Sequence, residues 1–255
     1  MPSIVTTAIV LHVQNYSESS RILRLATRDA GVQSVMARGA RASQRRFGSA
    51  VDLFAEGEVQ YESRSGRDLH TLARFDVVRS RAVLGSSLER FEGASGLAEV
   101  MLRVAGHDDT PSEAFTALQQ GLDSIAVWGD PTTATVRSIW RLLGALGFTP
   151  ALDACIHCDR DLSRADEVAF SAEAGGVLCD SCGERLPVRR LPASARSQLR
   201  EWLATAAGDE PADESAHVLL DPLTVRAHRR LLRMFVHAHL TDGRPLRAFD
   251  AWANA

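Results

Sequence analysis

All four cysteines of this 255-residue chain lie in one stretch, CIHCDRDLSRADEVAFSAEAGGVLCDSC, from Cys155 to Cys182. They form two Cys-x-x-Cys pairs separated by 20 residues. Two intervening residues let a tight turn aim both thiolates at one ion, and two such knuckles make a tetrahedral shell. The spacing predicts a structural zinc site with Cys155, Cys158, Cys179 and Cys182 as ligands. Between the knuckles, VAFSAEAGGVLC reads as two short strands turned at Gly175-Gly176, which brings the second knuckle beside the first.

A shell closed by four thiolates has no open position for substrate, so the motif reads as a staple. A thioredoxin-type dithiol needs one Cys-x-x-Cys opening a helix after a strand, and two copies this close fit zinc better. Iron–sulfur ligation uses the same donors and is the weaker alternative. A zinc deaminase would need a His-x-Glu upstream, and the chain has none. His157, inside the first knuckle, is expected to be an exposed residue rather than a ligand.

The segments flanking this motif have different periodicities. TTAIVLHVQ, RILRLAT, VQSVMARG, VDLFAEGEVQYES and LHTLARFDVV, within residues 4–78, are short runs rich in Val, Ile, Leu and Phe, several alternating with period two. Five such strands suggest a small closed barrel. After about residue 80 the period becomes helical. Ser86 and Glu89 suggest a capping box, Thr110-Pro111-Ser112-Glu113 a second, and Val136, Ile139, Trp140, Leu143 and Leu146 mark a helix stopped at Gly147. Helices are expected again over 193–206 and 222–240, with an acidic exposed loop at 206–217. The expected class is α+β multidomain: a barrel over 1–80, then a helical domain over 81–255 carrying a zinc module at about 150–186.

No apolar run reaches the roughly 18 residues of a membrane span, and the N-terminus lacks a basic n-region and cleavage site. No membrane association is expected, and the cytoplasm, where thiols stay reduced, is the default compartment.

The net charge of −3 hides an asymmetry. Residues 1–80 carry 11 Arg against 8 acids, and residues 81–255 carry 18 Arg against 24 acids. The chain has no lysine, so every cationic side chain fixed in charge is a guanidinium, suited to phosphate. Arg38, Arg41, Arg45 and Arg46 stand among Gly, Ala and Ser in VMARGARASQRRFGS, a loop that lets cations approach a phosphate backbone closely. A solvated charge run has the same composition. Phe47, Phe54 and Tyr61 offer rings for base stacking, but core roles suit them better. Arg226, Arg229, Arg230 and Arg233 recur at helical spacing and make a second basic face, for DNA or an acidic peptide, or simply a solvated one. His228, His237 and His239 come with no carboxylate pattern and are expected as core or surface residues. No nucleophile or phosphate-loop motif is present, so no catalytic residue is assigned.

The ordered set of pieces is recognisable. AIVLHVQNYSESSRILRLATRDAGVQSVMARGARASQRRFGSAVDLF, then LLGALGFTPALDACIHC with FSAEAGGVLCDSC, then LLRMFVHAHLTDGRPLRAF, resemble the RecO family of bacterial recombination and repair mediators. The resemblance implies an OB-type N-terminal barrel and a helical domain with a zinc module. It implies binding of single- and double-stranded DNA, strand annealing, and partnership with RecR. It further implies loading of recombinase onto strands coated by single-stranded-DNA-binding protein, whose acidic tail meets the helical domain. The protein is then a cytoplasmic, nucleoid-associated non-enzyme, with phosphates held by Arg21, Arg24, Arg38, Arg41, Arg45 and Arg46. Two alternatives remain: a zinc-ribbon module reading one duplex sequence, and a metal-dependent hydrolase.

Overall fold

A computed structural model describes residues 2–40, 52–63, 66–104, 110–204, 220–241 and 246–251. Strands β1 (Ser3–Asn15), β2 (Arg21–Thr27), β3 (Gly31–Ala37), β4 (Glu56–Glu62) and β5 (Leu69–Arg79) close into a barrel in the order β1-β2-β3-β5-β4. Neighbours are antiparallel except β3 and β5, which run parallel. This is the expected five-stranded OB-type barrel, and its closure removes free sheet edges.

The run AIVL in β1 is apolar on both faces because both are buried. Ala8 and Val10 fill the barrel with Leu23, Leu25, Val35 and Val59, while Ile9 and Leu11 join the helical core outside it. Strand β4 begins at Glu56, later than the sequence run suggests. Phe54 takes a left-handed φ of 66°, which ends extended geometry there. Its N–H donates to Val10 O (2.8 Å), and its ring packs edge-on against Phe91. Phe54 and Tyr61 are both core residues, as expected.

A buried ion network joins barrel to helices. A short 3-10 turn (Ala82–Gly85) leads to α1 (Leu88–Val104), α2 (Ser112–Val127) and α3 (Pro131–Ala145). Just before the turn, Arg81 reaches Glu56 of β4 (2.6 Å), Asp123 of α2 (2.7 Å) and the carbonyl of Phe54 (3.1 Å). Gln119 donates to the other Glu56 oxygen (2.6 Å). The three helices pack together, with α3 contacting both α1 and α2. Trp140 of α3 is fully buried against Phe235, 5.1 Å between ring centroids.

The helix starts differ from expectation by a residue. Ser87, rather than Ser86, accepts from Arg90 N–H (3.3 Å). Pro111 itself occupies the cap of α2, without a side-chain cap hydrogen bond. Asp130 caps α3 by accepting from Thr132 and Thr133 N–H.

The cysteine insert follows α3. Strands β6 (Glu167–Ser171), β7 (Gly176–Leu178) and β8 (Arg189–Pro192) form a sheet in the order β7-β6-β8, and the short helix α4 (Asp180–Gly183) lies between β7 and β8. The hairpin turns at Gly175, whose φ of 80° suits glycine, and a Cβ on Gly176 would meet Ala151 O at 2.7 Å. Strand β8 was not foreseen: RRLP is short and half charged, and only its pairing with β6 makes it a strand. Helices α5 (Ala193–Ala204), α6 (Pro222–Leu240) and α7 (Arg247–Ala251) complete the described fold. The acidic stretch expected as a loop, 206–217, lies outside the described residues.

Candidate metal centre and nucleic-acid interface

The four sulfurs converge. Cys155, Cys158, Cys179 and Cys182 place their Sγ atoms within 4.8 Å of one another, and all four are free thiols. Sulfurs at about 2.3 Å from a tetrahedral ion lie about 3.8 Å apart. Cys158 Sγ and Cys179 Sγ are 3.7 Å apart, which suits that shell and is far too long for a disulfide.

Local backbone geometry builds each knuckle. In the first, Asp159 N–H donates to Cys155 O (2.8 Å) and Cys155 N–H to Arg160 O (2.9 Å), with Asp159 left-handed at φ 55°. Ile156 N–H then donates to Val177 O (3.1 Å), fastening this knuckle to β7. In the second, Cys182 N–H donates to Cys179 O (3.1 Å) as α4 begins. His157 is exposed and does not join the cluster.

The thiols interact strongly. The Ser181 hydroxyl, the Cys182 N–H and neighbouring thiols hold Cys179 down to about 6. The adjacent Cys179, burial, and then Cys158 and Cys155 push Cys182 up to about 12. Such crowded thiolates repel one another, and a bound cation relieves the repulsion. The donor set and spacing fit a soft metal ion held by four cysteines.

The insert is anchored by an arginine that sequence reading missed. Arg196 of α5 is 1% exposed and donates to the carbonyls of Leu162 (2.7 Å), Ser163 (3.2 Å) and Ala165 (2.6 Å). Arg200, one turn on, pairs with Asp153 (2.5 Å). The signal was two arginines at i and i+4 after the motif, but nothing local pointed to their partners.

The barrel arginines separate into groups. The register Asn15↔Arg21 and Arg21↔Ala37 puts Arg21 at one barrel end, and the exposed Arg38 follows β3 at the same end. Arg24, three positions along β2, projects from the opposite strand face to Arg21, and burial lowers its pKa. Arg41, Arg45 and Arg46, and Phe47 with them, lie outside the described residues.

The arginine stripe on α6 also divides. Arg229 is half-buried and lines a small cavity with Glu89 and Glu92 of α1. Arg233 lies 4.0 Å from Asp250 of α7. Arg226 and Arg230 remain exposed. Arg230 rims a groove of about 560 Å³ between β8 and α6, floored by Leu191, Ala227 and Leu231 and also lined by Arg189 and Arg190.

The three histidines part ways too. Burial pushes His228 down to about 4, and its Nε2 lies 2.8 Å from Gln198 Oε1. His239 Nε2 meets Ala172 O (2.8 Å), and His237 lies 3.4 Å from Asp250. No helix among the described residues is long and apolar enough to cross a membrane.

Comparison with known proteins covers both halves. Residues 1–81 match the family described as Recombination protein O N terminal, and residues 85–248 match Recombination protein O C terminal. The DNA repair protein RecO of Anaeromyxobacter sp. strain K is 35% identical over 254 residues, 97% of this chain and 95% of its own length. The protein of the same description from Rubrobacter xylanophilus is 30% identical over 235 residues, 91% of this chain and 90% of its own. With both halves matched in order and relatives aligned over nearly the whole length, the chain belongs to the RecO family.

Proposed function

We propose that the chain is a non-catalytic DNA mediator, with residues 1–80 as the DNA-binding unit and 81–255 as the unit that meets protein partners. Family membership supports the role in DNA repair and recombination. The observation that carries the binding mode is the barrel end that holds both Arg21 and Arg38, just ahead in sequence of Arg41, Arg45 and Arg46. Guanidinium groups there, with Arg24 nearby, hold phosphates of single- and double-stranded DNA, and counterion release supplies much of the affinity. Holding two strands on basic surfaces lowers the entropic barrier to annealing. RecR is the partner in loading recombinase onto strands coated by single-stranded-DNA-binding protein.

The metal is zinc, held by Cys155, Cys158, Cys179 and Cys182, and its role is structural: it closes the insert and leaves no coordination site for a reaction. The acidic tail of the coating protein docks on the helical unit. The groove rimmed by Arg189, Arg190 and Arg230 supports this reading, since an apolar floor with cationic edges suits a peptide of mixed acidic and apolar residues. Arg226 lies on the same helix face, whereas Arg229 and Arg233 sit beside carboxylates of the chain itself.

The test is binding of a mixed-sequence single strand across a salt series, for the parent and for Arg41→Ala/Arg45→Ala/Arg46→Ala. Single strands give a log–log salt slope of about −0.7 per neutralised phosphate, so the variant should flatten the slope by about 2. Equal binding by both proteins moves the site away from this loop. Absence of binding by either at low salt defeats the DNA reading. In parallel, Arg226→Glu/Arg230→Glu should abolish capture of an acidic tail peptide, and unchanged affinity refutes the groove.

A further inference from the structure

Among the described residues two aromatic side chains are exposed, Tyr16 (61%) and Phe91 (43%). Phe91 rests edge-on against Phe54 and belongs to the junction between barrel and helices. Among the described residues Tyr16 has no such ring neighbour. It stands at the tip of the β1–β2 hairpin, one residue past the Asn15↔Arg21 pair, where its N–H donates to Ser20 O (3.1 Å) and closes the tip. The same row continues from Arg21 to Ala37, so Arg38 lies at this barrel end as well. Adjacent strands are about 4.8 Å apart, so β1 and β3 span about 10 Å there. The Nε of Arg21 is buried without a hydrogen-bond partner. An aromatic ring this exposed adds little to packing, and it stands at the barrel end that also carries Arg21 and Arg38.

We propose that Tyr16 is a stacking platform for an unpaired nucleobase, with Arg21 and Arg38 holding the flanking phosphates. This deepens the DNA-binding reading and rests on it. Every base has a π-face, so the platform tolerates any sequence. In a duplex the base faces are covered by their stacked neighbours, so Tyr16 discriminates in favour of single strands. Tyrosine carries no charge at neutral pH, so its contribution is independent of counterion release.

The two properties give a test that a general loss of charge or fold cannot mimic. The parent, Tyr16→Ala and Tyr16→Phe are titrated with a labelled mixed-sequence single strand and with the matching duplex, each across a salt series. Tyr16→Ala should bind the single strand about tenfold more weakly, with an unchanged salt slope and unchanged duplex affinity. Tyr16→Phe should behave as the parent, because the ring and not the hydroxyl does the stacking. Photo-crosslinking of the parent to a strand carrying 5-iodouracil should map to the peptide that contains Tyr16. Parent-like single-strand affinity of Tyr16→Ala, or equal weakening on both substrates, overturns the platform and leaves the DNA-binding reading standing. If the parent binds neither substrate, both fall together.

Discussion

Replacing the buried Arg81 with Met should cost more stability than removing an exposed arginine of the barrel strands. The Arg81 side chain is 2% exposed, and the Glu56 carboxylate it faces is 7% exposed. The guanidinium also reaches Asp123, but that carboxylate is 33% exposed and keeps Arg79 as a partner. The loss therefore concentrates on Glu56. Without Arg81, the partner left to its buried charge among the described side chains is the amide of Gln119. Removing one partner of a buried pair costs about 3–5 kcal/mol, because the remaining charge is stranded in a poor solvent. The carbonyl of Phe54 loses a donor as well, which adds about 1 kcal/mol. Total stability of a folded unit is only about 5–15 kcal/mol, so such a variant sits near the threshold of folding. The assay is urea unfolding of the parent, Arg81→Met, Glu56→Gln and the double variant, followed by circular dichroism and tryptophan fluorescence. The double variant should recover a large part of the loss, since a neutral Glu56→Gln side chain no longer needs a counter-charge. A single Arg81→Met variant within about 1 kcal/mol of the parent, or a double variant that is simply the sum of the singles, refutes the stranded-charge argument.

Other consequences are as direct. Cys155→Ser, or chelation of the parent, should remove bound metal and speed amide exchange over residues 150–186 while barrel amides keep their protection; full metal content with parent-like melting sinks the staple. His228 titrates near 4 when folded against about 6.5 when unfolded, so the unfolded chain binds an extra proton below pH 6.5. Its contribution is fully present above about pH 6.5 and is lost as pH falls toward 4, amounting to about 2 kcal/mol by pH 5. His228→Gln should flatten the dependence of the urea midpoint between about pH 7 and pH 5, and an unchanged dependence assigns the loss to other groups.

Features that depend on residues a few positions apart were readable directly. The Cys-x-x-Cys spacing foretold both knuckles, and the period-two and period-3.6 patterns located the barrel strands and the long helices. The Gly175 turn and the stop at Gly147 follow from local φ demands, since both glycines are left-handed. The errors at the helix starts are of the same local kind. Ser86 and Ser87 are chemically equivalent caps, and the folded chain puts Ser87 in reach of the Arg90 N–H.

What the sequence by itself determined is the set of elements, the four-sulfur motif and the basic bias of the first 80 residues, because propensity, ligand spacing and charge are short-range or summed properties. Tertiary structure alone decided which charges are free to act. Arg226, Arg229, Arg230 and Arg233 share one helical stripe, yet α1 and α7 place carboxylates beside two of them and leave the other two exposed. Arg81 finds Glu56 25 residues away, and Arg196 finds the Leu162 carbonyl 34 residues away. Tyr16 and Tyr61 are the only tyrosines in the chain, one exposed at a hairpin tip and one sealed in the barrel, a difference set by strand register. A charge or a ring acquires its role from what the fold brings against it, and those partners lie too far along the chain for any local pattern to record.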